Sequence, residues 1–341
     1  MNFTEEQREI IEAPIKEKTI VVANAASGKT FVLVERLKFL INQGVDPSKI
    51  VCITFTNNSA NEMRIRLGEY DHPDMFVGTI HSYANHLLMK GGVDTSMQLR
   101  TEEFDELFEM IGENRHVVQE IDYLLCDESQ DLDPYQFEFI VYILNAPGAL
   151  LVGDPKQSIY GFRGADPYML DNLRSDMRWT TRVLMKNFRN AIRINNLANN
   201  TIKEMRGFDK IPSVITRKER GEIHYYPFLR LARTLEENAE GNYKEWAVLC
   251  RSNSQVNAVQ NMLKTAGIPT ITFKQAENSL EELDKKRNTN SVKVLTIHSA
   301  KGLEFDNVML ADRLQMNKNG EGIRLFYVAL TRARDRLFLR R

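Results

Sequence analysis

Apolar residues along the chain gather in short dense runs, separated by longer stretches in which apolar positions recur at helical spacing. This alternation predicts parallel sheets with crossover helices, so the expected fold class is α/β with mainly parallel sheets flanked by helices. In the first half the strand runs are TIVVA (19–23), IVCITF (50–55), DMFVGTI (74–80), YLLCD (123–127) and ALLVGD (149–154). RVLMK, GEIHYYPF, WAVLCRS, IPTITF, VKVLTIH, NVMLAD and RLFLR read as strands of the second half. A polar, turn-rich stretch at 165–182 reads as the hinge between two similar domains, 1–180 and 181–341. ERGE near 219, 281–291 and 316–322 read as surface loops of the second.

Composition narrows this picture. A chain of 341 residues is comfortable as two domains with separate cores. Its 43% hydrophobic and 27% charged residues are those of a folded globular protein. No apolar run approaches the roughly 20 residues of a membrane span, and the polar, acidic start does not resemble a secretory signal, so a cytosolic location in a bacterial or phage-infected cell is expected. Net charge is −1, so any nucleic-acid site must be a local groove and not a basic coat. Cys52, Cys126 and Cys250 each lie inside an apolar run without metal-ligand spacing, and are expected as buried free thiols.

The chemistry starts at residues 19–40, where a strand run is followed by ANAASGKT and an amphipathic segment. Small residues at Ala23, Asn24, Ala25, Ala26, Ser27 and Gly28 let the backbone wrap close to phosphates, so that its N–H groups and the helix N-terminus face negative charge. Lys29 would reach the β- and γ-phosphates, and the Thr30 hydroxyl would hold Mg²⁺. Ala23 stands at the first glycine position of the usual phosphate-loop pattern. By itself the stretch could also be an ordinary strand-to-helix turn capped by Ser27. At the end of YLLCDESQD, Asp127 and Glu128 sit at a strand's C-terminal end, where open α/β sheets bind ligands. Asp127 suits a hold on Mg²⁺ and Glu128 suits polarising a water molecule; alone, the pair also reads as a solvated acidic turn.

These residues carry a resemblance to superfamily 1A DNA helicases of the UvrD/Rep/PcrA type, in a minimal form. In chain order, NFTEEQREII resembles the group's adenine-reading glutamine motif, and CITFTNNSANEMRIRL and GTIHSYANHLL resemble the two that follow the phosphate loop. DESQD, VGDPKQSIYGFRGA, LMKNFRN, VLTIHSAKGLEFDNV and RLFYVALTRAR complete the series. The resemblance implies two RecA-like P-loop domains that hydrolyse ATP with Mg²⁺. It implies that Gln7 reads adenine with Phe188 stacked opposite, that Glu304 meets the ribose, and that Gln157 senses the γ-phosphate. It also implies that Arg189 and Arg332 act as arginine fingers, the cations that phosphoryl transfer needs on a breaking bond. Outside that context a lone Arg or Gln reads as a surface side chain.

A motor without sequence preference needs aromatic platforms and backbone contacts. By resemblance Phe55, Tyr160 and Phe162 supply the first, and Thr54, Thr56, Asn57, His81, Arg163 and His298 the second. Each of these aromatics has an alternative as core packing, and the histidines as structural residues. Larger relatives carry two accessory insertions; here the gaps at 89–122 and 191–291 leave no room for them, and Asn58 stands where relatives commonly have Lys. The implied function is an ATP-dependent helicase or translocase moving 3′ to 5′ on single-stranded DNA or a tailed duplex. The alternatives are an ATP-gated DNA-binding or remodelling subunit that needs a protein partner, and a P-loop ATPase that ignores nucleic acid.

Overall fold

A computed structural model describes residues 3–341 apart from 102, 204, 206–210, 274–279 and 313–319. The chain divides into two compact units: 1–23 with 28–184, and 24–27 with 185–341. In the first, β1 (Lys18–Ala23), β2 (Ile50–Thr54), β3 (Phe76–Thr79), β4 (Tyr123–Cys126), β5 (Gly148–Gly153) and β6 (Trp179–Leu184) form a six-stranded sheet in the order β3-β2-β4-β5-β1-β6. Every pairing in it is parallel. β1, β2, β4 and β5 are buried almost end to end, as strands covered on both faces must be. One layer of the core joins Val21, Cys52, Leu125 and Leu150 to Val32, Leu33 and Leu37 of the helix Lys29–Asn42.

The second unit opens with β7 (Lys186–Asn187) and β8 (Val214–Ile215), a parallel pair, and continues with β9 (Glu222–Tyr226), β10 (Trp246–Cys250), β11 (Thr270–Ile271), β12 (Val292–Thr296), β13 (Phe305–Leu310) and β14 (Ala333–Arg340). The last six form a parallel sheet in the order β11-β12-β10-β13-β14-β9. Trp246, Val248, Val294, Met309 and Phe338 pack its core with Val259 and Leu263 of the helix Asn253–Thr265. The fold is α/β, with two parallel sheets flanked by helices. Among the described residues no helix is long and apolar enough to cross a membrane. All three cysteines are buried free thiols, their pKa values pushed up chiefly by burial.

Four sequence expectations need correction. RVLMK does not open the second half: residues 182–184 belong to β6, which pairs with β1 in the first sheet, Lys18 against Trp179 through Ala23 against Leu184. β6 is an edge strand, so Thr180 and Arg182 can face water, and its polar residues resemble a hinge in sequence. The expected turn at 165–182 also contains the helix Met169–Leu173. The loop expected at 281–291 is mostly the helix Leu280–Arg287, anchored by buried Leu283, and IPTITF shrinks to the two residues of β11. Most of the loop expected at 316–322 lies outside the described residues; Gly320–Gly322 begin the helix Gly320–Thr331.

Lys293, fully buried on β12, donates its ammonium to the carbonyls of Lys244 and Thr289 (3.0 Å to the latter). Burial brings its pKa down from the ordinary 10.5 to about 8, opposed by Glu245 and aided by Lys244. The folded chain therefore holds this proton less tightly than the unfolded one. Between about pH 8 and 10.5 the unfolded state binds more protons at this site, so raising pH through that window adds stability. Denaturant melts from pH 7.5 to 10 should show wild type gaining on Lys293→Met; parallel curves would refute the assignment.

Candidate ATP and nucleic-acid site

Lys29 and Glu128 meet at the C-terminal ends of the first sheet. β1 ends at Ala23 beside β5, and the chain then passes through residues 24–28 into the helix Lys29–Asn42. Ala26 (φ 62°) and Gly28 (φ 86°) both have left-handed backbones, which turn successive N–H groups to one side as an anion cradle requires. No side chain caps the helix at Gly28, so its first amides remain to be satisfied from outside the helix. Space is tight here: a Cβ on Gly28 would lie 3.2 Å from Gln7 Nε2. The Ser27 hydroxyl is buried with no hydrogen-bond partner among the described residues. That orphaned group, the uncapped amides and Lys29 form a donor set that fits a polyphosphate.

Facing Lys29 is the turn after β4. Asp127 is tied to β2 by its N–H, which donates to the Ile53 carbonyl (2.9 Å), and its own carboxylate accepts the Glu128 N–H (2.9 Å). Glu128 has a left-handed backbone (φ 51°, ψ 36°), a conformation that costs a non-glycine residue on the order of 1–3 kcal/mol and tends to persist at functional sites. Its Oε1 lies 3.9 Å from Lys29 Nζ, close enough for attraction but longer than a firm hydrogen bond. Thr30 is half-buried in the first turn of the helix. Its hydroxyl and the Asp127 carboxylate are hard oxygen donors of the kind Mg²⁺ takes beside substrate phosphates.

Gln7 is buried in the helix Glu5–Ile11, locked by reciprocal bonds with Thr4 (3.1 and 3.3 Å). Gln157 is buried in the turn after β5, where its Nε2 donates to Asp154 Oδ2 (2.7 Å). From there the chain runs directly into an aromatic cluster. Phe55 and Tyr160 stack at 5.1 Å and 23°, and Phe162 meets Tyr160 edge-on at 6.0 Å. The Arg163 guanidinium lies over both rings at 5.5 and 5.7 Å, and Phe162 is 67% exposed. Burial raises the Tyr160 pKa, with Asp131 and Glu128 adding to the effect and Arg163 opposing it. Beside Phe55, the buried Thr54 hydroxyl donates to the Thr56 carbonyl (3.1 Å), Thr56 caps the next helix by accepting the Ser59 N–H (3.1 Å), and Asn57 is exposed. His81 follows the end of β3, whose Thr79 pairs with Thr54, and lies 3.5 Å from both Asp105 and Gln136, with Phe104 and Phe108 against its ring.

The second unit carries the remaining expected residues. Arg189 pairs with Glu304 through Nε and reaches the Thr331 carbonyl (3.4 Å). Arg332 is fully buried, donating to the carbonyls of Val328 and Leu303 and to the Thr331 hydroxyl, each at 3.1 Å. Phe188 presents a ring that is 46% exposed, while its N–H donates to the Ala26 carbonyl (3.1 Å). Asn24 is buried, with its amide on the Pro212 carbonyl (2.9 Å); Ala25 is also buried. His298 is half-buried in the turn after β12. Sequence reasoning noted Gln130 as part of DESQD and passed over Asp154 in VGDPKQ, although both are buried beside the expected residues.

Comparison with known sequences shows the family. The profile of the UvrD/REP helicase N-terminal domain matches residues 3–115 and 102–178, and that of the UvrD-like helicase C-terminal domain matches 275–340. A "Probable DNA helicase" of Mycoplasma pneumoniae is 25% identical over 94% of this chain and 80% of its own length. DNA helicase II of Escherichia coli is 25% identical, and the ATP-dependent DNA helicase PcrA of Staphylococcus epidermidis 26%, each over 79% of this chain. The chain spans about half the length of these last two. With the N-terminal profile alone matching more than half of its residues, the chain belongs to the UvrD/REP helicase family.

Proposed function

We propose that this chain is an ATP-dependent DNA helicase or translocase moving on single-stranded DNA, built from two RecA-like domains. The observation that carries the reading is the approach of Lys29 to Glu128 at 3.9 Å, across a left-handed loop rich in backbone donors. Lys29 and the loop amides bind the β- and γ-phosphates of ATP. Thr30 and Asp127 hold Mg²⁺, which neutralises charge on those oxygens when bound. Glu128 polarises water and takes its proton as the oxygen attacks the γ-phosphorus and the bond to ADP breaks. Gln7 and Phe188 recognise adenine, Glu304 the ribose, and Gln157 the γ-phosphate. Arg189 and Arg332 of the second unit counter the charge that develops on the leaving oxygen. For Arg189 this means exchanging its Glu304 partner for phosphate, and for Arg332 leaving the carbonyls that now surround it.

Single-stranded DNA lies on Phe55, Tyr160 and Phe162 as stacking platforms, with Thr56, Asn57, His81, Arg163 and His298 along its backbone; Thr54, buried with its hydroxyl on the Thr56 carbonyl, shapes the turn that presents them. The Phe55–Tyr160–Phe162–Arg163 cluster supports this, because it combines exposed aromatic surface with a cation. Stacking is worth roughly 1–3 kcal/mol per base. Movement is 3′ to 5′, as in the family the sequence resembles. The test is ATPase activity with and without single-stranded DNA, followed by unwinding of duplexes tailed at either end. Strong stimulation with unwinding from a 3′ tail is expected. Stimulation without unwinding would favour an ATP-gated remodelling subunit dependent on a partner, and no stimulation would remove nucleic acid from the proposal.

A further inference from the structure

Glu128 is held from one side by a residue to which the reading above gives no role. Gln130 is 1% exposed, and its amide spans the ends of two strands. Its Oε1 accepts the backbone N–H of Asp154 just after β5 (2.9 Å). Its Nε2 donates to Glu128 Oε2 (2.5 Å) and to Asp131 Oδ2 (3.2 Å). A backbone N–H can only donate, so the oxygen of the amide must face Asp154 and its NH₂ must face the carboxylates. Bonds to an ionised acceptor are short and strong. Gly153 makes the approach possible, since a Cβ there would fall 2.8 Å from Gln130 Oε1 and 2.9 Å from the Ser129 hydroxyl. The two oxygens of Glu128 are thereby distinguished: Oε2 is taken by Gln130, and Oε1 is the one that lies nearest Lys29.

We propose that Gln130 is a positioning residue for ATP hydrolysis, tying the Glu128 carboxylate to the frame of the first sheet so that Oε1 is presented to the attacking water. The proposal rests on the assignment of Glu128 as the water-polarising carboxylate. Glu128 sits on a strained backbone in a short turn, and displacements of about 1 Å at such a group can cost a hundredfold in rate. Gln130 itself touches neither the loop amides nor Lys29, so its effect belongs to turnover and not to nucleotide binding.

Two variants separate positioning from bracing. Gln130→Glu keeps the shape and the oxygen that accepts the Asp154 N–H but sets a carboxylate oxygen where the donor to Glu128 and Asp131 stood; Gln130→Met is neutral and loses both bonds, so a fall shared by the two variants is not owed to the added charge. Steady-state ATPase should show kcat falling about tenfold to a hundredfold in both, with KM for ATP and the affinity for a fluorescent ADP analogue within about threefold of wild type. If the amide only braces β4 against β5, Gln130→Glu turns over ATP at the wild-type rate, and that result overturns the proposal. Thermal melts accompany each variant; should Gln130→Met fail to fold, Gln130→Glu decides alone. A wild-type chain without ATPase activity would overturn the Glu128 assignment and this proposal together, whereas an active wild type with an equally active Gln130→Glu overturns this proposal only.

Discussion

Replacing Lys29 with alanine is expected to lower ATP turnover by at least roughly 10²–10³-fold, the loss typical for one preorganised charge partner of a reacting group. Lys29 opens a fourteen-residue helix, and its side chain is 12% exposed, next to a carboxylate and outside the apolar core. Alanine is the best helix former, so the helix gains slightly in propensity while losing a cation near its positive end. The melting temperature should therefore stay within a few degrees of wild type. Glu128 loses the ammonium at 3.9 Å, and a bound γ-phosphate would lose its closest side-chain cation. Binding of a fluorescent ATP analogue and turnover should fall together, because the same charge serves the ground state and the breaking bond. Wild-type turnover in a folded Lys29→Ala would end the assignment of this site.

The strands that could be read from sequence are those buried on both faces. IVCITF and ALLVGD are nearly continuous apolar runs because β2 and β5 lie inside the sheet, with neighbours on both sides and helices above and below. β6 was obscured by the opposite circumstance. An edge strand keeps one side toward solvent, so WTTRVL carries Thr and Arg where a central strand would be apolar, and its place beside β1 depends on a pairing across more than 150 residues. The helix Leu280–Arg287 escaped notice for a similar reason: LEELDKKR has almost no apolar periodicity, and among its described side chains only Leu283 is deeply buried.

The site shows the same division. Lys29, Asp127 and Glu128 could be singled out as candidates because phosphate and metal chemistry favours such residue types at strand ends, and local spacing records that. Their mutual distances were not, since β1 and β4 are separated by β5 in the sheet and by a hundred residues in the chain. The bond from Gln130 to the Asp154 N–H involves a backbone group, which leaves no signature in side-chain identity. Nor does a sequence show that Arg332 is surrounded by carbonyls and Arg189 paired with Glu304. Both facts bear on the role proposed for these arginines, because each guanidinium must trade existing partners for phosphate.

Arg36→Met is expected to destabilise the first unit by on the order of 3–5 kcal/mol, the cost of leaving several buried acceptors unsatisfied. Arg36 is fully buried, yet its hydrogen bonds run to backbone oxygens and a phenol: the carbonyls of Ile11 (2.9 Å), Ala13 (2.5 Å) and Pro14 (3.1 Å) and the Tyr123 hydroxyl (3.1 Å). The Tyr123 and Phe39 rings lie 5.0 and 5.3 Å from its guanidinium. Methionine fills much of the volume but donates to none of these oxygens. At roughly 2–4 °C per kcal/mol for a domain of this size, the first transition in a thermal melt should drop by about 6–20 °C. Arg36→Lys keeps the charge but lacks the fork, so it should recover only part of the loss. The clamped segment 11–14 ends the helix that carries Gln7, which approaches Gly28 of the phosphate loop. A folded Arg36→Lys should therefore also bind adenine nucleotides more weakly, while triphosphate without a base binds as before. A melt within 2 °C of wild type for Arg36→Met would show that the clamp contributes little to the stability of the first unit.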